Sequence, residues 1–154
     1  MIKFPVIIFL VISLPAFGQS KWYKVTSNDW AIIGSQVIAG SADAVNQNLA
    51  HYKMGKGKQF WDYHQSWKNK YKNWDTGDIS AAYPGSKTWL VFTTDGYHLT
   101  RMIDRSATLA TIFIAAGELK QYPKKDRWKV MMKKAAISAI SNRLMFNIIY
   151  KKKR

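Results

Sequence analysis

The chain has 154 residues, no cysteine and a formal net charge of +15 at pH 7. This length allows one domain with a modest core. The lack of cysteine excludes disulfides and thiol chemistry, and the strong positive charge predicts a polyanionic partner.

The first 18 residues have the pattern of a secretory signal peptide. Lys3 supplies the positive start, residues 4–14 form an apolar run, and Ala16 and Gly18 place small residues before a cleavage site. The run is shorter than the ~20 residues that a membrane span needs, although an uncleaved N-terminal anchor is the alternative. A mature chain from residue 19 to 154 is predicted to form a single helical domain with a basic C-terminal tail.

Export determines which polyanion a basic chain meets. Nucleic acid is the expected partner in the cytoplasm, whereas anionic lipid head groups and glycans are abundant outside it. The 7 Trp and 8 Tyr residues fit a membrane–water interface, which these side chains favour. We therefore expect a periplasmic or envelope location, an anionic membrane surface or a membrane protein as partner, and no nucleic acid. Nucleic-acid binding is the alternative if the leader does not function.

The first helix is predicted from residue 30 to about residue 54, after capping residues at positions 27–29. Small residues spaced by four allow another helix to approach closely. Asp43, Gln47 and His51 form one polar stripe, which is either a solvated face or a row of inward-facing groups. The small residues are Ala31, Gly34, Ser35, Ala39, Gly40, Ser41, Ala42 and Ala44.

Residues 60–75 contain six aromatic side chains, three lysines and no aliphatic residue. Large rings bury extensive area while their polar tips need partners, so the segment is either a clasp packed on another element or a binding surface. Aromatic and lysine side chains together stack on bases or sugars, or lie at a lipid interface. The candidate binding residues here are Trp61, Trp67, Lys68, Asn69, Lys70 and Tyr71.

Residues 75–94 combine sequence features of turns, strands and helices. Residues 75–85 contain turn sequences and are expected to form a surface loop. Residues 87–94 have the composition of a strand but lack a partner strand; the alternative is the start of a long helix kinked near Gly96. A continuous helix over 87–119 is long enough to span a membrane, but it carries charges in its middle.

The second helix is predicted to begin after a Thr94-Asp95 cap and to end near residue 119. Arg101 and Arg105 share one half of its circumference with His98 and are further candidate binding residues. From residue 107 to 116 the sequence is apolar nearly all round, as in a segment that is deeply buried or lies in lipid.

The third helix is predicted from residue 128 to 150, with a core seam of Ile137, Ile140, Leu144 and Ile148. It is followed by four basic residues at 151–154. It is either an ordinary packing helix or an amphipathic helix on a membrane surface with a polybasic tail. The fold class expected is mainly α, a small bundle of about three main helices plus the aromatic-rich clasp.

Four side chains are candidates for catalysis: Asp43, His51, Asp95 and His98. Asp95 and His98 are three residues apart and share one side of a helix. Histidine and carboxylate perform acid–base chemistry or bind divalent metals, so a small envelope hydrolase or metal-dependent enzyme is the alternative function. Because the motifs of metal and nucleophile sites are absent, we predict no metal, no cofactor and a binding or structural role.

Several strings resemble a group of short, exported or membrane-associated helical bacterial proteins of uncharacterised function. The most specific are Ser-Trp-Lys-Asn-Lys-Tyr at 66–71 and Asp-Gly-Tyr-His at 95–98. The similarity covers about residues 30–105. The resemblance implies that seven side chains lie close together in the fold: Asp43, His51, Ser66, Asn69, Lys70, Asp95 and His98.

Overall fold

The computed structural model describes residues 21–52, 54–73 and 75–150. This part of the chain contains three α-helices: α1 over Ser27–His51, α2 over Gly96–Leu119 and α3 over Arg127–Ile149. Helix α1 packs along both α2 and α3, which touch each other at few positions. The predicted small, mainly α bundle is therefore confirmed. The predicted signal peptide and the basic tail lie outside the described residues.

Helix α1 begins three residues before the predicted start because Thr26 caps it. The Thr26 hydroxyl accepts a hydrogen bond from the Asp29 amide at 3.3 Å, and the Asp29 carboxylate accepts one from the Thr26 amide at 2.8 Å. This reciprocal capping box satisfies two amides that an open helix end leaves unpaired. The helix also ends three residues before the predicted Met54.

The small residues of α1 allow α3 to approach it closely, as predicted. Ala39, Ala42 and Ala44 are buried, and the backbone of Asn142 on α3 lies directly against Gly40. A Cβ at Gly40 would overlap the Asn142 carbonyl. The glycine is therefore needed for the distance between these two helices.

Replacing Gly40 with alanine is expected to destabilise the fold by about 1–3 kcal/mol, because two backbones must separate. Gly34→Ala is the matched control: Gly34 is exposed on the same helix, and an added Cβ has nothing within 4 Å. There alanine is expected to stabilise by up to about 1 kcal/mol through helix propensity. Urea unfolding measures both changes, and equal effects would contradict the close packing.

The segment between α1 and α2 contains a two-stranded antiparallel hairpin. Strand β1 (Tyr71–Asn73) pairs with β2 (Asp78–Ala82), and Tyr71 lies opposite Ala82. Gly77, with φ of 75°, occupies the turn between the strands, where a left-handed backbone favours glycine. The prediction of a surface loop over 75–85 was wrong for β2, whose Asp78 and Ser80 carry little strand propensity.

The strand interpretation of residues 87–94 was also wrong. Trp89–Thr93 forms a 3-10 helix, and Asp95 then caps α2 with extended backbone angles of −154° and 154°. The extended residue interrupts helical hydrogen bonding, so residues 87–119 do not form one continuous helix. Within the ranges that the structure describes, no helix has both the length and the apolar character needed to cross a membrane.

The aromatic-rich segment packs on the start of α2. The Trp61 ring lies against the backbone of Gly96, where any side chain would overlap it. Tyr63 meets Tyr97 edge to face, with ring centroids 5.0 Å apart. The clasp interpretation is therefore confirmed for Trp61 and Tyr63, whereas Trp67 is 57% exposed.

The predicted core seam of α3 was wrong for three of its four residues, while Ile137 is half-buried. Ile140, Leu144 and Ile148 are between 43% and 58% exposed. The buried positions are Val130 and Lys134, one helical turn apart. The buried part of α3 therefore includes a charged residue, and the aliphatic spacing alone did not locate it.

Candidate functional site

Polar side chains join the helices of the bundle. Gln36 on α1 donates from Nε2 to Thr111 Oγ1 on α2 at 2.9 Å, and its Oε1 accepts from Asn142 Nδ2 on α3 at 3.1 Å. Asn46 Nδ2 donates to Thr100 Oγ1 at 2.9 Å. Because these bonds are shielded from water, they specify how the helices align.

A buried ion cluster of Asp29, Glu118, Lys133 and Lys134 connects all three helices at one end of the bundle. Lys134 Nζ lies 2.5 Å from Asp29 Oδ1 and 2.6 Å from Glu118 Oε2, and these three side chains are at most 3% exposed. Lys133 Nζ contacts Asp29 Oδ2 at 2.8 Å. Two ammonium groups therefore face two carboxylates.

The carboxylates of the ion cluster are held in their charged form. Burial alone raises the pKa of Asp29, but hydrogen bonds from Lys133 and Lys134 outweigh it and leave the pKa below its ordinary value. Burial also raises the pKa of Glu118, but the hydrogen bond from Lys134 outweighs burial, so the pKa lies below its ordinary value. The cluster therefore depends on the lysines to keep two buried charges compensated.

Two of the four predicted catalytic residues meet at the start of α2. His98 Nδ1 lies 2.8 Å from Asp95 Oδ2, and the Asp95 side chain is 1% exposed. A carboxylate accepts hydrogen bonds, so Nδ1 is the donor in this contact. Ser66 Oγ is 3.5 Å from the same Nδ1, so it does not face the nitrogen that would activate it as a nucleophile. The hydrolase alternative stays a prediction.

His51 and Asp43 form no hydrogen bond or ion pair with Asp95 or His98 in the described ranges. His51 is exposed, and its Nε2 lies 3.1 Å from Gln47 Oε1. Asp43 borders a polar cavity of about 80 Å³ together with Asp104. Burial raises the pKa of Asp104, and the nearby Asp43 charge raises it further.

No group of three histidine, aspartate or glutamate side chains in the described residues is arranged to hold a metal ion. Of the residues named with the resemblance, Ser66 and Asp95 each lie within hydrogen-bonding distance of His98 Nδ1. Asn69 is three residues after Ser66, and its backbone N–H donates a hydrogen bond to the Ser66 carbonyl at 3.3 Å.

The candidate binding residues of the aromatic-rich segment have different environments. Lys68 Nζ lies 5.2 Å from the centre of the exposed Trp67 ring. Asn69 is only 1% exposed and donates from Nδ2 to the Gln59 carbonyl at 2.6 Å, while its Oδ1 has no hydrogen-bond partner in the described chain. Trp61, Lys70 and Tyr71 are partly exposed.

Arg101 and Arg105 border a groove between α2 and the 3-10 helix Trp89–Thr93, with a volume of about 580 Å³. Arg101 donates to the Tyr97 hydroxyl at 2.6 Å. The lining residues are Trp89, Val91, Phe92, Tyr97, His98, Arg101, Met102, Arg105, Ser106 and Leu109. His98, Arg101 and Arg105, which were predicted to share one half of the helix circumference, all line this groove.

The outward sides of the helices expose large apolar side chains, and we call these sides the apolar faces. Phe113 on α2 is 73% exposed, and Ile112 and Ile140 are 56% and 58% exposed. Among the exposed residues from 128 to 148, only Arg143 is charged. The apolar faces comprise Trp30 and Ile38 on α1, Leu109, Ile112 and Phe113 on α2, and Trp128, Met131, Met132, Ile140, Leu144 and Ile148 on α3.

The ion cluster was not predicted from the sequence, and apolar faces were expected only in the alternatives that place residues 107–116 in lipid or the third helix on a membrane surface. One signal was present: Val130 and Lys134 share a side of α3, so burying the valine also buries the lysine. No protein-family model, curated protein or solved structure matches this chain. The functional interpretation therefore depends on the geometry of the apolar faces and of the groove.

Proposed function

We propose that the protein is an exported, membrane-associated binding or structural protein whose apolar faces enter the interface of an anionic membrane. The observation that carries the proposal is the inverted distribution of side chains. Polar groups such as Gln36 and Lys134 join the helices, whereas Ile112, Phe113 and Ile140 face outward. This distribution is typical of helices that contact lipid, because polar groups then find partners only in one another.

Exposed apolar side chains have a measurable cost in water. Removing one isoleucine or phenylalanine side chain from water is favourable by about 1.5–3 kcal/mol. Contiguous apolar surface beyond a few hundred Å² is rare on monomeric soluble proteins and marks interaction sites. Several such side chains on each of two helices therefore supply enough free energy for partial insertion at a lipid interface.

The charge of the protein selects an anionic surface. Exposed basic residues concentrate from the end of α2 to the first residue of α3, next to Trp128 in the apolar face of α3. Each lysine or arginine near an anionic membrane contributes about 1 kcal/mol of attraction. The exposed basic residues of this stretch are Lys120, Lys124, Lys125 and Arg127.

Flotation with phosphatidylglycerol-containing liposomes tests the proposal. The full chain is expected to float at low salt and to float less at high salt, where charges are screened. Ile112→Asp and Ile140→Asp are each expected to weaken binding by about 10- to 100-fold, because each removes an inserted side chain and adds a negative charge.

Ile79→Asp is the matched control, since Ile79 is 59% exposed but lies on β2 and belongs to none of the three helices. It introduces the same charge in place of the same side chain and is expected to leave flotation unchanged. Absence of flotation at low salt would overturn the proposal, as would equal losses for all three variants. A soluble, self-associated protein that does not float would indicate instead that a second copy covers the apolar faces.

A further inference from the structure

The groove beside α2 is cationic on one side and apolar on the other. It consists of two adjoining cavities of about 580 Å³ and about 350 Å³. Both are lined by Phe92, Met102 and Ser106, which places them next to each other around the circumference of the helix. Each cavity has a size common for small-molecule sites, about 300–1,000 Å³.

The larger cavity carries the positive charge. Arg101 and Arg105 are one helical turn apart on α2, a spacing at which both guanidinium groups reach one ligand. His98 lines the same cavity, and the described residues that line it include no carboxylate. Neither arginine has an ion-pair partner within the part of the chain that the structure describes. The planar donor array of arginine suits phosphate oxygens.

The acidic residues near Arg101 belong to a different cavity. Asp43 and Asp104 border the small polar cavity that Arg101 also lines, together with Asn46, Gln47 and Thr100. Asp95 holds His98 through Nδ1 and is itself buried. The charges of Arg101 and Arg105 also act on Asp104, but Asp104 borders the small polar cavity and does not line the groove.

The smaller cavity is suited to hydrocarbon. Its lining is aliphatic or aromatic apart from the Ser106 hydroxyl, and it includes Ile38, Leu99 and Ile103. Leu109 lines the larger cavity and is 54% exposed on the apolar face of α2. The groove is therefore continuous with the surface that we propose enters the membrane interface.

We infer that this groove holds a single lipid with an anionic phosphate head group. The phosphate lies between Arg101 and Arg105, and one hydrocarbon chain runs along Met102 and Leu99. The inference rests on the proposed membrane function and deepens it, because it adds capture of an individual lipid to general attraction by the membrane surface.

Isothermal titration of the full chain with dodecyl phosphate, kept below its critical micelle concentration, tests the inference. One molecule is expected to bind per chain, at least about tenfold more tightly than inorganic phosphate or dodecyl maltoside, which lack the chain and the charge respectively. Arg101→Gln and Arg105→Gln are each expected to weaken binding about tenfold or more through loss of a charged hydrogen bond.

Arg143→Gln is the matched control, because Arg143 is exposed on α3 and lies outside the groove. It is expected to bind dodecyl phosphate like the unaltered chain, and equal weakening by Arg143→Gln would overturn the inference. Circular dichroism confirms that the variants are folded. Flotation without one-to-one binding of dodecyl phosphate would contradict the lipid site in the groove but would still support the proposed membrane function. Binding of dodecyl phosphate without flotation would contradict the proposed membrane association but would still support the binding site in the groove.

Discussion

Replacing Lys134 with methionine is expected to destabilise the protein by about 3–5 kcal/mol, the cost typical of removing one partner from a buried ion pair. Lys134 is 3% exposed and neutralises Asp29 and Glu118 at 2.5 and 2.6 Å. Methionine has a similar volume, so the loss reflects uncompensated charge rather than a cavity. Urea unfolding at neutral pH measures the change.

Two further variants separate charge burial from other effects. Lys125→Met removes an exposed lysine and is expected to change the free energy of unfolding by less than about 0.5 kcal/mol. The double variant Lys134→Met with Glu118→Leu removes both charges of this ion pair, while Lys133 still pairs with Asp29. It is expected to recover most of the stability that Lys134→Met loses. A double variant as unstable as the single one would contradict the interpretation.

The stability of the unaltered protein is expected to decline as the pH falls below 4.5, the ordinary pKa of Glu118. Asp29 and Glu118 both have lowered pKa values in the fold, so their contribution is complete above their ordinary values and is lost as they become protonated. Unfolding curves recorded between pH 7 and pH 3 measure this loss.

The Lys134→Met variant provides the internal control for this pH dependence. Without the lysine, burial is the largest influence on Glu118 and raises its pKa, so its charged form destabilises the fold at neutral pH. Protonation of Glu118 removes this destabilisation as the pH falls. The difference in stability between the unaltered chain and the variant is therefore expected to narrow from pH 7 to pH 4, and a constant difference would show that the ion cluster does not control the acid response.

The ion cluster and the proposed lipid contacts have one physical origin. A bundle whose helices are joined by Gln36, Asn46 and Lys134 has few buried aliphatic side chains. Its large apolar residues therefore remain outside, where they are available to lipid. The same packing leaves α2 with a free side along which Arg101 and Arg105 border the groove.

Local signals in the sequence were enough to place the helices. The predicted bounds of α1 and α3 differ from the observed ones by one to three residues, because capping residues and helical spacing act within a few positions of the chain. The close approach of a helix to Gly40 was also predictable, since small residues at four-residue spacing leave room for another backbone. The residues at 71–73 and 78–82 form a hairpin that such signals did not reveal.

The sequence by itself determined that the chain forms three helices, where they begin, and that the protein is strongly basic. Only the tertiary structure decided which side of each helix faces inward. Aliphatic spacing defines a stripe on α3, but it does not determine whether protein, water or lipid covers that stripe. Lys134 meets Asp29 across 105 positions and Glu118 across 16. That contact exists only in the folded bundle, because a buried charge requires its partners, whereas an exposed isoleucine requires only a surface to bind.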